Sequence, residues 1–183
     1  MTELIQAAEA FARERHQGQL RKGAAQEPYI IHIEEVAHLT RVWGGSEAAI
    51  AAAWLHDTVE DCPPTSLEEL ADRFGAQVAG LVAELTDDKN LGKQARKDLQ
   101  IANAPKKSPE ACLVKMADKS SNVGSLANSP PADWPLERRL KYIEWARDVV
   151  TALPEKPEIA LAEFLDRCAR AAQRAQADFP RST

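Results

Sequence analysis

The chain of 183 residues is 44% hydrophobic and 28% charged, with a formal net charge of -5, ordinary globular chemistry in a chain long enough to bury one core. That charge argues against broad electrostatic binding to nucleic acid, but not against an anionic small molecule, for which local potential decides. No apolar run approaches the ~20 residues that cross a bilayer, and the scattered Cys62, Cys112 and Cys168 suit a reducing cytoplasm better than a disulfide framework.

In chain order, helical periodicity dominates. "MTELIQAAEAFARERHQ" carries Glu3 and Glu9 and reads as an amphipathic helix rather than a signal peptide, with a stripe of Leu4, Ala7, Ala8, Phe11 and Ala12. A second stripe is Ile33, Val36, Ala37 and Thr40. Ser46 before Glu47 is an N-cap signal opening an alanine-rich helix that runs to about Asp61. Pro63-Pro64 break it, Ser66 and Glu69 have capping-box spacing, and Gly75 closes the short helix they open. "AQVAGLVAELTDD" carries its own stripe, and "LGKQARKDLQIANA" is a polar, basic helix stopped by Pro105. Ser108-Pro109 are a cap and first-turn pair, Pro135 starts the next helix, and Pro154 and Pro157 break it. A last helix from Glu158 to about Ala177 carries Ile159, Leu161, Phe164, Leu165 and Cys168.

No segment alternates apolar and polar residues with β-branched enrichment, and no Asn-Gly or Asp-Gly hairpin signal occurs. The expected fold is all-α, a single-core helical bundle of about eight to ten helices. Residues 1–153 form the expected domain and 154–183 a C-terminal helical extension, either docked or free to bind a partner. The basic clusters at Arg13–Lys22, Lys89–Lys97 and Lys106–Lys107 read, taken alone, as solvated faces.

The informative stretch is "AAIAAAWLHDTVEDC", residues 48–62. On a continuous helix His56, Asp57, Glu60 and Asp61 fall within an arc of roughly 140°. A bland reading has His56 capping carbonyls while the carboxylates face water. Against it, acidic groups at a helix C-terminus oppose the macrodipole by several tenths of a kcal/mol each, so a positive partner is expected, and a divalent metal ion is the natural candidate. His32 opens an earlier helix, and Asp118 sits among Leu113, Val114 and Ala117 with Asn122 one turn on. Two imidazoles and two carboxylates fit a catalytic divalent metal with open positions better than a closed structural zinc site.

The order His32, His56-Asp57, Asp118 resembles the signature of the HD-domain metal-dependent phosphohydrolases. More narrowly, "GQLRKGAAQEPYIIHIEEVA", "AAWLHDTVED" and "LVKMADKSSNV" resemble motifs of the RelA/SpoT hydrolase domain, and the chain is similar to its single-domain relatives, the small alarmone hydrolases. With "TDDKNLGKQARKDLQIANAPKKSPEACLVKMADK" and "LKYIEWARDVV" the resemblance covers residues 4–153. It implies hydrolysis of the 3′-pyrophosphate of (p)ppGpp to GDP or GTP and pyrophosphate, with manganese as the ion and a nucleotide as the small-molecule partner. His32, His56, Asp57 and Asp118 match its metal ligands, and Glu60 and Asp61 its water-handling pair. Arg21 and Lys22 match an arginine that packs on the base and a lysine that meets phosphate, and Asn122 a contact to the ribose and 3′ side. Tyr29, Lys97 and Tyr142 match pocket positions, whereas His16 and His38 match none.

The same residue types suit the chemistry. Glu60, one turn from His56, is placed to accept or steer a proton, and arginine suits stacking and forked phosphate contacts where lysine supplies a point charge. One departure is local: the run Ser120-Ser121-Asn122-Val123-Gly124-Ser125 places Gly124 where the family has arginine. That predicts a less basic, more open wall at the nucleotide. Two alternatives follow, an HD phosphohydrolase acting on another ribose-phosphorylated nucleotide such as NADPH, and a non-catalytic nucleotide-binding module. The oligomeric state is not fixed by the sequence.

Overall fold

The structure, a computed structural model, describes residues 2–179, so the last residues of the expected C-terminal extension lie outside it. Among the described residues there are ten α-helices and one 3-10 turn and no strand, and none of the helices is long and apolar enough to cross a membrane.

The bundle is built around two helices. α3 (Glu47–Leu55) is buried at every position from Ala48 to Leu55, because its alanines let neighbours approach on all sides. α8 (Pro109–Asn128) buries residues all round its axis, including Lys115, Asp118 and Lys119. α1 (Glu3–Arg15), α2 (Ile30–Val42) and α6 (Ala76–Leu85) pack on α3, and α2 also packs on α8. α5 (Leu67–Phe74) packs on α6, while α7 (Lys93–Asn103) lies on α9 (Leu136–Ala152).

The caps sit where local chemistry puts them. Ser46, Ser66 and Ser108 accept from the backbone N–H groups of Ala49, Glu69 and Ala111. The box at Ser66 is only half formed, because Glu69 turns its carboxylate to Arg15 at 2.6 Å. Gly75 closes α5 at φ 87°, a left-handed conformation that favours glycine. In α1 the buried stripe is Ile5, Ala8, Phe11 and Ala12, with Ala7 exposed.

The final helix, α10 (Glu158–Asp178), docks along α8 and α9. Ala160, Phe164, Cys168 and Ala171 join the main core, whereas Ile159 and Leu165, expected on that stripe, are exposed. The buried positions Ala160, Phe164, Cys168, Ala171 and Ala175 recur at helical spacing along α10, which packs on α8 and α9.

The alanine-rich helix does not run on to Asp61. α3 ends at Leu55, the chain turns through His56 and Asp57, and a separate one-turn helix, α4, spans Thr58–Asp61. Asp57 has φ −100° and ψ −5°, and the Thr58 hydroxyl donates to the Leu55 carbonyl at 2.7 Å. That side-chain bond competes with the helical ladder. The four polar groups therefore hang from a turn and a short helix.

Candidate metal centre and adjoining cavity

Three elements bring imidazoles and carboxylates together. His32 comes from the first turn of α2, His56 and Asp57 from the turn after α3, and Asp118 from the middle of α8. One donor atom each of His32, His56 and Asp118 lies within 4.8 Å of the others. Asp57 joins them: its Oδ2 is 3.2 Å from His56 Nε2 and 3.7 Å from His32 Nε2, and Asp118 Oδ1 is also 3.7 Å from His32 Nε2.

The ring nitrogens test whether a cation fits. His56 Nδ1–H donates to the Ala53 carbonyl at 2.8 Å, and His32 Nδ1 meets Ser121 Oγ at 2.8 Å. The opposite atoms, His32 Nε2 and His56 Nε2, are buried and have no hydrogen-bond partner. Two buried ring nitrogens facing two carboxylates call for a positive charge between them, either a proton or a metal ion. The donor set is of the mixed nitrogen and oxygen type that takes divalent first-row metals.

The electrostatics agree. Burial depresses His32 below its ordinary value. Burial also works to lower His56, but the charges of Asp57 and Asp118 win and raise it to about 9. Burial would raise Asp57, yet His56 and His32 hold it well below the carboxylate range. Asp118 is held down against burial chiefly by Lys119 and Lys115, whose Nζ atoms stand 3.1 and 3.6 Å from Oδ2. The negative centre thus draws a proton onto His56, in competition with any metal ion.

Glu60 and Asp61 are brought to the same wall but point apart. Glu60 Oε1 accepts from Arg96 at 3.3 Å and Oε2 from the Asp87 N–H at 3.3 Å. Burial first, then the Asp57 charge, pushes its pKa up. Asp61 sits nearer the rim, its carboxylate paired with Lys89. Both residues line a 230 Å³ cavity over the metal donors that also includes Lys97, Lys115, Asn122 and Tyr142.

A neighbouring cavity of 560 Å³ is lined by Arg21, Lys22, Tyr29, Asn122, Ser125 and Trp134, among others. Arg21 donates to Asn122 Oδ1 at 3.1 Å and Ser125 Oγ at 3.2 Å, and Asn122 Nδ2 donates to Asp118 Oδ1 at 2.5 Å. Tyr29 does more than line the pocket, because its hydroxyl donates to Asp57 Oδ2 at 2.6 Å. Tyr142 packs between Trp134 and Trp145 at 5.5 and 5.2 Å, and Lys97 lies over Trp145 at 4.6 Å.

The expectation that Gly124 faces the nucleotide is overturned. Gly124 lines neither cavity. A Cβ built on it would stand 3.0 Å from Arg167 Nη1 of α10, so the glycine opens toward the last helix. Position 124 lies two residues beyond Asn122, and at helical spacing that rotates it about 160° away from the cavity.

The sequence reading missed Lys115, Lys119, Arg96 and the two tryptophans of the aromatic wall. The two lysines had a signal: they are charged residues three before and one after Asp118 in an apolar run, where they would be buried only if paired. Of the two histidines that match no family position, His16 is buried with Nδ1 3.4 Å from Cys62 Sγ, and His38 is exposed.

Comparison with known proteins places this geometry. The chain matches the HD domain over residues 8–143. It is 46% identical over 153 residues to the guanosine-3′,5′-bis(diphosphate) 3′-pyrophosphohydrolase MESH1 of Homo sapiens, covering 82% of this chain and 84% of that protein. To the Drosophila melanogaster protein of the same name it is 43% identical over 145 residues, covering 78% and 80%. Its fold is similar to a solved structure described as a metazoan orthologue of SpoT that hydrolyses ppGpp and plays a role in starvation responses, with a TM-score of 0.87 and 37% identity over 93% of this chain and 96% of that one. The chain belongs to the HD-domain family and, within it, to the group of the MESH1 guanosine-3′,5′-bis(diphosphate) 3′-pyrophosphohydrolases.

Proposed function

We propose that the protein is a metal-dependent guanosine-3′,5′-bis(diphosphate) 3′-pyrophosphohydrolase: water attacks the 3′-diphosphate of (p)ppGpp, and GDP or GTP and pyrophosphate leave. The observation that carries it is the pair of buried, unpartnered Nε2 atoms of His32 and His56 facing Asp57 and Asp118 beside a cavity lined with basic and aromatic side chains. The likeness to the MESH1 enzymes over four-fifths of the chain supports the same reading.

His32, His56, Asp57 and Asp118 would hold the ion, because mixed imidazole and carboxylate donors take divalent first-row metals; the choice of manganese in this reading follows the resemblance to the RelA/SpoT hydrolase domain. When bound, such an ion acts as a Lewis acid on a phosphoryl oxygen and lowers the pKa of water. Glu60 takes the proton of the attacking water. Its burial beside Asp57 raises its basicity, while Arg96 and the Asp87 N–H hold its carboxylate in place. Asp61 steers the water from the rim. Lys115 and Lys119, buried against Asp118, supply fixed positive charge where the leaving pyrophosphate gathers negative charge. Arg21 packs on the base, Lys22 and Lys97 meet phosphate, Asn122 meets the ribose, and Tyr29 and Tyr142 shape the walls. The three free cysteines are all buried, in keeping with a reducing cytoplasm.

Turnover of a nucleotide panel with manganese tests the assignment. The expected result is pyrophosphate release from ppGpp and pppGpp and none from GDP. Cleavage of NADPH with ppGpp left intact would overturn it. Gly124, which opens toward Arg167 and lines neither cavity, does not itself favour NADPH over ppGpp.

A further inference from the structure

Behind the metal donors a chain of polar side chains runs from His32 to the last helix. Ser121 Oγ lies 2.8 Å from His32 Nδ1 and donates to Glu35 Oε2 at 2.6 Å. Glu35 Oε1 accepts from Arg167 Nη1 at 2.5 Å. Arg167 is held in turn by Glu163 at 2.9 Å, and Glu163 accepts from Trp43 Nε1 at 3.0 Å.

The direction of each bond is fixed by chemistry. An arginine beside a carboxylate is always charged, so Glu35 is an ionised, acceptor-only group. The one proton of Ser121 is therefore committed to Glu35, and its oxygen can only accept from His32. That places hydrogen on His32 Nδ1 and leaves the lone pair on Nε2, the atom facing Asp57 and Asp118. A neutral histidine without this arrangement has two tautomers, only one of which presents Nε2 to a cation.

The glycine at position 124 leaves the guanidinium unobstructed. Any Cβ there would press on Arg167 Nη1 at 3.0 Å, and a longer side chain would contest the place of the guanidinium beside Glu35. We infer that Arg167 is a positioning residue for the metal centre, fixing the tautomer and ring orientation of His32 through Glu35 and Ser121 from a seat that Gly124 leaves open. The inference rests on reading His32 as a metal ligand, and it gives α10, which lies outside the matched HD domain, a part in the site.

Nitrogen-15 spectra of the metal-free protein read the His32 tautomer, and manganese titration reads the site, neither requiring substrate. The wild-type protein is expected to show the Nδ1–H form. Ser121→Ala cuts the relay while leaving the Glu35–Arg167 pair and the docking of α10 in place. It is expected to mix the tautomers and weaken manganese binding by roughly 10–100-fold, the usual effect of losing such a partner, whereas Ser121→Thr keeps the hydroxyl and the affinity. Arg167→Ala is expected to act like Ser121→Ala, and Gly124→Arg in that background to restore both readouts by returning a cation to Glu35. An Nε2–H tautomer in the wild type, or manganese affinity unchanged in Ser121→Ala, would overturn the inference. A wild-type protein that shows the Nδ1–H form but binds no manganese would overturn the metal reading and leave the relay standing.

Discussion

Tyr29 donates its hydroxyl proton to Asp57 Oδ2 at 2.6 Å, the same oxygen that stands 3.2 Å from His56 Nε2. The tyrosine is thereby a clamp on a metal donor as well as a wall of the pocket. A hydrogen bond to a charged group contributes about 1.5–3 kcal/mol. Tyr29→Phe keeps the ring stacked on His16 and removes only that bond. Manganese titration of this variant is expected to show affinity falling by roughly tenfold or more, with the circular dichroism spectrum unchanged.

Removing the metal should lower stability. An ion that binds the folded chain alone adds about 2.7 kcal/mol at a hundredfold excess over its Kd. Thermal unfolding is expected to show Tm rising with manganese and falling back on chelation. Asp118→Asn should remove the response, because a neutral amide is a weaker ligand and leaves the charges of Lys115 and Lys119 uncompensated beside the ion.

Glu60→Gln keeps the side chain's shape and takes away its basicity. Loss of a general base costs about 10²–10⁴-fold in rate. Steady-state kinetics with ppGpp should therefore show kcat falling within that range, while KM and manganese affinity hold.

Lys107 gives a pH dependence with a definite sign. Burial and the neighbouring charge of Lys115 lower its pKa to about 8, against 10.5 for an ordinary lysine. Between those values the unfolded chain binds more protons than the folded one, so this group makes stability rise with pH across that window. The difference in Tm between wild type and Lys107→Met should narrow or widen only above pH 8, with the wild type gaining as pH rises. A difference flat from pH 8 to 10.5 would contradict the account.

Phe164 tests the docking of the last helix. It is 1% exposed and lies in the main core, and truncating such a ring costs about 3–5 kcal/mol. Urea unfolding of Phe164→Ala should show that loss in a single transition, because α10 shares its core with α8.

Much of the fold was legible because its signals are local. The serine caps at 46, 66 and 108 and the proline breaks act within one turn of chain, and the structure keeps them. The order of His32, His56-Asp57 and Asp118 could be read because these are residues that an apolar run rarely tolerates without a partner. What could not be read depends on tertiary contact. The break at Asp57 follows from a threonine hydroxyl taking a helix carbonyl. The exposure of Ile159 and Leu165 follows from the face that α8 covers. The direction in which Gly124 opens exists only once α8 and α10 are packed, whereas Lys115 and Lys119 beside Asp118 left a signal in the apolar run and only their pairing with its carboxylate needed the fold.

If His32, His56, Asp57 and Asp118 hold the ion that drives hydrolysis of a 3′-diphosphate, release of pyrophosphate from ppGpp reports it. The purified protein is expected to release pyrophosphate with manganese, to stop on chelation and resume when manganese is restored, and to show none in Asp57→Ala of unchanged fold. Release that survives chelation, or that persists in folded Asp57→Ala, would contradict the account.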